Sequence, residues 1–280
     1  MTSRLRVAVV GGGMSGIACA HRLHASRCDV VVLDRGHRLG GRMATRTMRG
    51  TGLPYDGRVV DVGASYLLAS NERFADLVSG WAARGLVVPW TDSFHIADAD
   101  GLAGTTPGPV RYAAPGGLRG LVEDLAADLP LVIAPRFVED VVRTDDGVLV
   151  DGERFDVAVL AMPGPQATDL LAENDPAVEQ LAWQQWSPAL TLVAAYDERC
   201  WEEFDGIFVN DSPVLLFVAD DGRRRGDDAP VLVAHAQAEF AARHLDDPAR
   251  GLGALVSAVA ELTGATAAPA WTEVRRWSLA

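Results

Sequence analysis

The 280-residue sequence predicts an α/β protein built in two parts, and three observations support this. An apolar run at 6–10 passes through three glycines into a helical pattern at 14–24, and a second apolar run follows at 29–33; together these start a βαβ unit. Further short apolar runs follow at 131–133, 137–142, 148–150 and 155–162, the last nearly continuous, as in a strand covered on both faces. Beyond residue 190 the pattern becomes β-rich, and ten of the 19 aromatic residues lie past residue 180, whereas no tryptophan precedes Trp81. A length of 280 against ~150 residues per domain agrees with two parts.

The elements follow in order. Helical spacing at 14–24 turns Met14, Ile17, Ala18 and Ala20 or His21 toward the sheet, where small side chains permit close packing. Residues 35–58 are rich in Gly and Arg, with turn signals at Gly40-Gly41, Gly50 and Pro54, and read as a long loop. A strand fits 59–62. A helix is expected over 71–83, with Asn71 as cap, Phe74, Leu77, Val78 and Trp81 on one face, and Gly85 as its end. Residues 91–109 read as irregular and 117–128 as helical. Strands are then expected at 190–196, 207–209, 214–218 and 231–235, with a charged loop at 220–228 and a helix at 248–263. The expected domains are discontinuous: 1–75 with 115–172, and 76–114 with 173–280. Aromatic enrichment in the second is also the ordinary composition of a β-sheet core.

Composition excludes several chemistries. Acidic residues outnumber basic ones 38 to 25, for a net charge of −13, so an extended phosphate backbone is not an expected partner. Every basic residue counted there is arginine; the absence of lysine removes pyridoxal-phosphate Schiff bases, phosphate-loop lysines and lysine general bases. Cys19, Cys28 and Cys200 form no disulfide framework, which points to a reducing cytoplasm. The apolar run after Arg4 and Arg6 stops at Gly11, too short for an export signal, and no stretch approaches a membrane span. A soluble cytoplasmic protein with neither nucleic acid nor membrane as partner is therefore expected.

The chemistry-bearing motif is Gly11-x-Gly13-x-x-Gly16, placed between a strand and a helix, with Asp34 ending the next strand 18 residues past Gly16. The first glycine permits the tight turn, the second lets backbone approach a pyrophosphate, and the third lets helix and strand pack closely. Helix amino-terminal amides would then face the anion, and Asp34 would accept from the hydroxyls of an adenosine ribose. This is a Rossmann-like dinucleotide site. Arg35, Arg38, Arg42, Arg46 and Arg49 fall within 15 residues, and no acid occurs between 35 and 55, where composition alone would give about three. Such a loop suits a second diphosphate contact through guanidinium forks; a solvated arginine face is the other reading.

The string Gly11 to Gly16, Asp34, then Leu39-Gly40-Gly41-Arg42-Met43-Ala44-Thr45-Arg46 resembles the cofactor-binding start of the flavin amine-oxidase superfamily, specifically its renalase-like branch. Asp61-x-Gly63-Ala64-Ser65-Tyr66, Pro115-Gly116-Gly117-Leu118, Leu160-Ala161-Met162-Pro163-x-Pro165-Gln166-Ala167, Ala234-His235-Ala236 and Arg276-Trp277 are similar to segments of that branch in the same order. The resemblance implies a Rossmann-like FAD-binding domain with a discontinuous β-rich substrate domain, and FAD held without a covalent bond. Its contacts would be Gly11, Gly13, Met14, Ser15, Gly16, Asp34, Arg35, Gly41, Arg42, Met43 and Ala44, with Val138 beside the adenine. It also implies two-electron oxidation of a small reduced substrate, an amine or a misreduced dihydronicotinamide isomer, with molecular oxygen as acceptor. The lysine found beside the flavin in many amine oxidases has no equivalent here.

His235, Tyr66 and Trp277 are the candidate catalytic residues. The histidine would be the polar group of the substrate cavity, and the two rings its walls. A strand-end histidine bonded to a backbone carbonyl and plain core packing of the rings are the alternatives. Two departures stand out. Val214 and Leu215 follow Ser212-Pro213 where the branch tends to show an aromatic and an arginine. The family pattern also continues past Arg-Trp-x-x-Ala into a strand, a Gly-Asp turn and a flavin-contacting helix, whereas Gly226-Asp227 is the only such pair here. An NAD-dependent dehydrogenase and a non-catalytic nucleotide- or flavin-binding protein remain as rival readings. His21, His24 and Cys28 lack a fourth metal ligand, Ile17 spoils a nucleophile elbow at Ser15, and Glu202-Glu203 reads as a solvated face.

Overall fold

The computed structural model describes residues 4–98 and 101–280, which form two compact units. The first comprises the chain up to Ala44 together with Arg119–Trp186; the second comprises Thr45–Leu118 and Ser187–Ala280. Residues 45–75, grouped with the nucleotide-binding part on sequence grounds, thus lie in the same unit as the β-rich carboxy-terminal segment. Among the described residues no helix is long and apolar enough to cross a membrane.

In the first unit, β1 (Arg6–Val10), α1 (Met14–Ala25) and β2 (Asp29–Leu33) form the expected βαβ start. The parallel sheet runs Val157–Leu160, β1, β2, Val132–Ile133. α1 buries Gly16, Ile17 and Ala20, but Ala18 faces solvent, because the helical face that meets the sheet is narrower than the apolar stripe. A small antiparallel sheet, Val141–Thr144, Gly147–Val150 and Glu153–Phe155, closes the core with Val138 against Ala8, Val10, Val31 and Leu33.

Two strand expectations need correction here. The run 155–162 is broken at Asp156: Glu153–Phe155 joins the antiparallel sheet, and Val157–Leu160 is a half-buried edge of the parallel one. Asp156 exchanges backbone and side-chain hydrogen bonds with the Arg6 backbone, which pins the change of sheet. The strand expected over 137–142 starts only at Val141, since Phe137 is exposed and the Arg136 N–H is taken by Asp34 O at 2.6 Å.

In the second unit an eight-stranded sheet runs Trp271–Trp277, Ala189–Ala195, Val231–Ala236, Leu215–Asp220, Gly206–Val209, Val88–Asp98, Gly101–Ala113, Leu67–Leu68. Its core packs Leu190, Leu192, Leu232 and Ala234 against Leu255 and Val259 of the helix Leu252–Thr263. That helix is shorter than the expected 248–263, because Pro248–Gly251 adopts a 3-10 turn. The helix Glu72–Ala83 buries Val78 and Trp81, and Asn71 Oδ1 accepts from the amides of Arg73 and Phe74.

Three regions of this unit differ from the sequence expectations. The loop read over 35–58 contains a strand, Thr45–Thr47, paired with Val59–Asp61. The irregular stretch 91–109 belongs to two long antiparallel strands, Val88–Asp98 and Gly101–Ala113. Most of Gly101–Ala113 is exposed on both faces, so it lacks the alternating apolar pattern that marks a half-buried strand. The charged stretch 220–228 is no solvated loop: Asp220 caps a short helix, Asp221–Arg225, and Asp220, Asp221, Arg224 and Arg225 are buried.

Candidate functional site

Each glycine of the amino-terminal turn has its own physical reason. Gly11 has φ +113°, and a Cβ there would lie 2.6 Å from Ala161 O; a Cβ on Gly16 would lie 1.9 Å from Gly11 O. A Cβ on Gly13 would meet only Gly41 Cα, at 3.8 Å, so beyond it the protein leaves the space over Gly13 open. Gly13 is also the cap of α1 and supplies no capping side chain, which leaves the first-turn amides of Met14, Ser15 and Gly16 without a side-chain cap. An uncapped helix start beneath an open glycine is a cradle for an anion.

Asp34, just beyond β2, is held in place by backbone. Gly12 N–H donates to Oδ2 at 2.5 Å and Gly36 N–H to Oδ1 at 2.7 Å. Each carboxylate oxygen keeps a lone pair for a ribose hydroxyl. Gly12 and Gly36 were not singled out from the sequence, although their adjacency to the motif residues is visible there. Gly40 N–H donates to Gly12 O at 2.9 Å, and Gly40 and Gly41 both have positive φ, which carries the chain across the cradle to Arg42. Arg42 is exposed, with its guanidinium 5.1 Å from the Trp186 ring centre; Met43 is buried and Ala44 half-buried. Arg35 is exposed, and Val138 is buried two residues past the Arg136 amide that binds Asp34 O. The arginine loop divides: Arg38 is bidentate to Glu123, and Arg46 lies 3.7 Å from Glu273, so neither is an unengaged fork. Every residue expected to hold the cofactor lies in the first unit.

His235, Tyr66 and Trp277 all lie in the second unit. Thr191 Oγ1 donates to Val62 O at 2.8 Å, so its only proton is committed, and at 3.3 Å it must accept from His235 Nδ1–H. That places the lone pair on Nε2, which accepts from Ser65 Oγ–H at 3.0 Å. Trp277 Nε1–H donates to the same Val62 carbonyl at 2.8 Å, which links two of the expected residues through one acceptor. The partners of His235 are thus hydroxyls rather than a backbone carbonyl. Burial pushes its pKa down to about 4, with Arg224 adding to the effect, so the ring is neutral at neutral pH. Tyr66 packs edge-on against Phe94 at 5.6 Å and lies 6.2 Å from Trp90.

Beneath Ser65 lies a buried ion network that sequence reasoning missed. Arg224 Nη1 donates to Ser65 O at 2.6 Å and its Nη2 to Asp221. Arg225 bonds Asp61 at 2.8 Å, Asp221 at 3.1 Å and the carbonyls of Ala114 and Pro115. Arg58 bonds Asp221 at 2.5 Å and Asp227 at 2.7 Å. Asp61 Oδ1 in turn accepts from Leu118 N–H and Thr45 Oγ1–H. The network ties 61–65 and 114–118, two of the motif segments of this unit, to one helix.

Residues 9–81 match the model of an NAD(P)-binding Rossmann-like domain, and residues 83–280 match that of the flavin containing amine oxidoreductases. The chain belongs to the flavin-containing amine oxidoreductase family. The cofactor of that family is FAD, and the open Gly13 cradle with Asp34 fits the diphosphate and ribose of such a group. The pig amine oxidase [flavin-containing] B is 43% identical over 77 residues, 28% of this chain and 14% of that protein. Polyamine oxidase 1 of Oryza sativa subsp. japonica is 32% identical over 120 residues, 35% of this chain and 22% of that protein. The matched segments therefore span less than a quarter of these relatives. Among solved structures, cyclohexylamine oxidase from Brevibacterium oxydans IH-35A superposes with a TM-score of 0.76 at 14% identity, covering 98% of this chain and 85% of that one. A fatty acid isomerase from P. acnes gives 0.74 at 13%, covering 100% and 87%. Those two likenesses show the fold.

Proposed function

We propose that this family member is a renalase-like FAD-dependent oxidase acting on a misreduced dihydronicotinamide isomer, with molecular oxygen as final acceptor. FAD, when bound, would supply the two-electron acceptor for a substrate hydride that this reading requires. The residues of the first unit would hold it: the α1 amides of Met14, Ser15 and Gly16 and the Arg42 guanidinium would take the diphosphate, Asp34 the ribose, and Val138 the adenine side. His235, Tyr66 and Trp277 serve the substrate side, with Ser65 presenting its oxygen lone pairs to a substrate N–H while its own O–H donates to His235 Nε2.

One observation favours the dihydronicotinamide over an amine. His235 is pushed down to about 4 and no lysine exists in the chain, so neither His235 nor a lysine takes a proton from an alkylammonium ion at neutral pH. Loss of hydride from a dihydronicotinamide leaves a pyridinium ring and releases no proton, so it needs no such base. The test is anaerobic mixing of the FAD-loaded protein with misreduced dihydronicotinamide isomers, with the ordinary isomer and with benzylamine. Bleaching of the flavin band by a misreduced isomer is expected. Bleaching by benzylamine alone overturns the substrate assignment, and an unchanged band with every substrate overturns the oxidase assignment.

A further inference from the structure

The buried arginines of the second unit fall into two kinds. Arg58, Arg224 and Arg225 face Asp61, Asp221 and Asp227, so their charges are matched. Arg111 is only 6% exposed, yet no carboxylate of the described residues stands within ion-pair reach of it. Its Nη1 reaches Pro109 O at 3.5 Å, the outer limit of a hydrogen bond, and its Nε–H is buried without an acceptor. The guanidinium lies 3.9 Å from the Phe94 ring centre and 5.8 Å from that of Tyr66. Ring faces attract the cation but do not satisfy its in-plane N–H groups, so the charge remains incompletely solvated.

The local backbone singles out the same residue. Arg111 pairs with Thr91 on the neighbouring strand, and the register shifts on both sides of Thr91, between Pro89 and Thr91 and between Thr91 and Ser93. Such bulges re-aim side chains and recur beside active sites. Phe94 leads toward the candidate catalytic group: it lies 5.3 Å from Phe217, whose ring stacks on His235 at 6.2 Å and 30°.

We propose that Arg111 is a specificity-determining residue that binds the anionic group, carboxylate or phosphate, of a ring-bearing substrate laid against Tyr66. An oxyanion would complete the guanidinium fork in its plane while the rings hold its faces. The chain then selects anions over cations of the same shape. This rests on the reading that the second unit holds the substrate.

The test is calorimetric titration of the FAD-loaded protein with benzoate, phenyl phosphate, benzamide and benzylamine, which share a ring and differ in charge. One of the two anions is expected to bind at least about tenfold tighter than benzamide, with benzylamine weakest, and the preferred anion distinguishes carboxylate from phosphate. Arg111→Gln should lower that affinity about 10- to 100-fold, to the benzamide level, while Arg111→Lys keeps part of it. Equal affinity for benzamide and both anions, or no heat from any probe, overturns the proposal. If Arg111→Gln does not fold, the wild-type series and Arg111→Lys decide. The flavin spectrum separates the two readings: failed anion preference with an intact flavin band sinks this inference alone, and retained preference without any flavin band sinks the oxidase assignment alone.

Discussion

Replacing Asp221 by asparagine keeps the side-chain shape and removes one buried negative charge. Asp221 is 0% exposed and is bonded by Arg58, Arg224 and Arg225. Burial alone pushes its carboxyl up, but the guanidiniums of Arg224, Arg225 and Arg58 outweigh this and hold the group well below the usual carboxylate range. Its stabilising contribution is therefore complete above the unfolded value of about 4 and is lost as pH falls toward the lower folded value. The substitution would leave three buried guanidiniums facing Asp61 and the half-exposed Asp227. Breaking a buried pair from one side costs about 3–5 kcal/mol, and at about 2–4 °C per kcal/mol for a chain of this size the melting temperature should fall by about 6–20 °C. Circular dichroism during heating at neutral pH measures this. Asp221→Asn combined with Arg224→Met should cost less than the two changes added, because the second removes a charge that the first orphans. A loss below about 1 kcal/mol, the value for a solvent-exposed pair, would refute the buried network.

Gly13→Val should abolish FAD retention by filling the open cradle, and Asp34→Ala should weaken it; protein-bound flavin after gel filtration reads both, and wild-type content in both places the cofactor elsewhere. His235 is lowered from 6.5 to about 4, so the unfolded chain binds the extra proton between these values and stability must fall as pH drops through that window. The slope is up to about 1.4 kcal/mol per pH unit, and urea unfolding from pH 4 to 7 should show it flattened in His235→Gln. Nitrogen-15 shifts of His235 should report a protonated Nδ1 in the wild type, and Thr191→Val should remove that preference; an Nε2–H tautomer in the wild type contradicts the Thr191–Val62 assignment.

What could be read from the sequence is what leaves a local trace. The turn at Gly11 and the close approach of Gly16 to Gly11 O tolerate no side chain, so backbone geometry is written directly as residue type. The same holds for Asn71 at its helix start. His235 and Trp277 could be named as candidates, but not the hydroxyls and carbonyl that join them, because Val62, Thr191, His235 and Trp277 meet only through long-range contacts, including strand pairing. The helix Asp221–Arg225 shows the limit most plainly. A run of charges reads locally as solvated, and it is buried only because Arg58 and Asp61 arrive from 163 and 164 residues away to match Asp221 and Arg225.

That matching turns charge counting into a guide to function. Within the network, Arg58, Arg224 and Arg225 meet Asp61, Asp221 and Asp227, and the folded chain closes the balance with its own side chains. A guanidinium buried to a similar depth outside that balance, as Arg111 is, costs stability that no carboxylate of the described chain offsets and that ring contacts offset only in part. Folding alone would favour an apolar residue of similar volume on the Phe94 face. A compensating group that arrives with a bound molecule accounts for the charge, and this is why the anion series tests substrate recognition rather than packing.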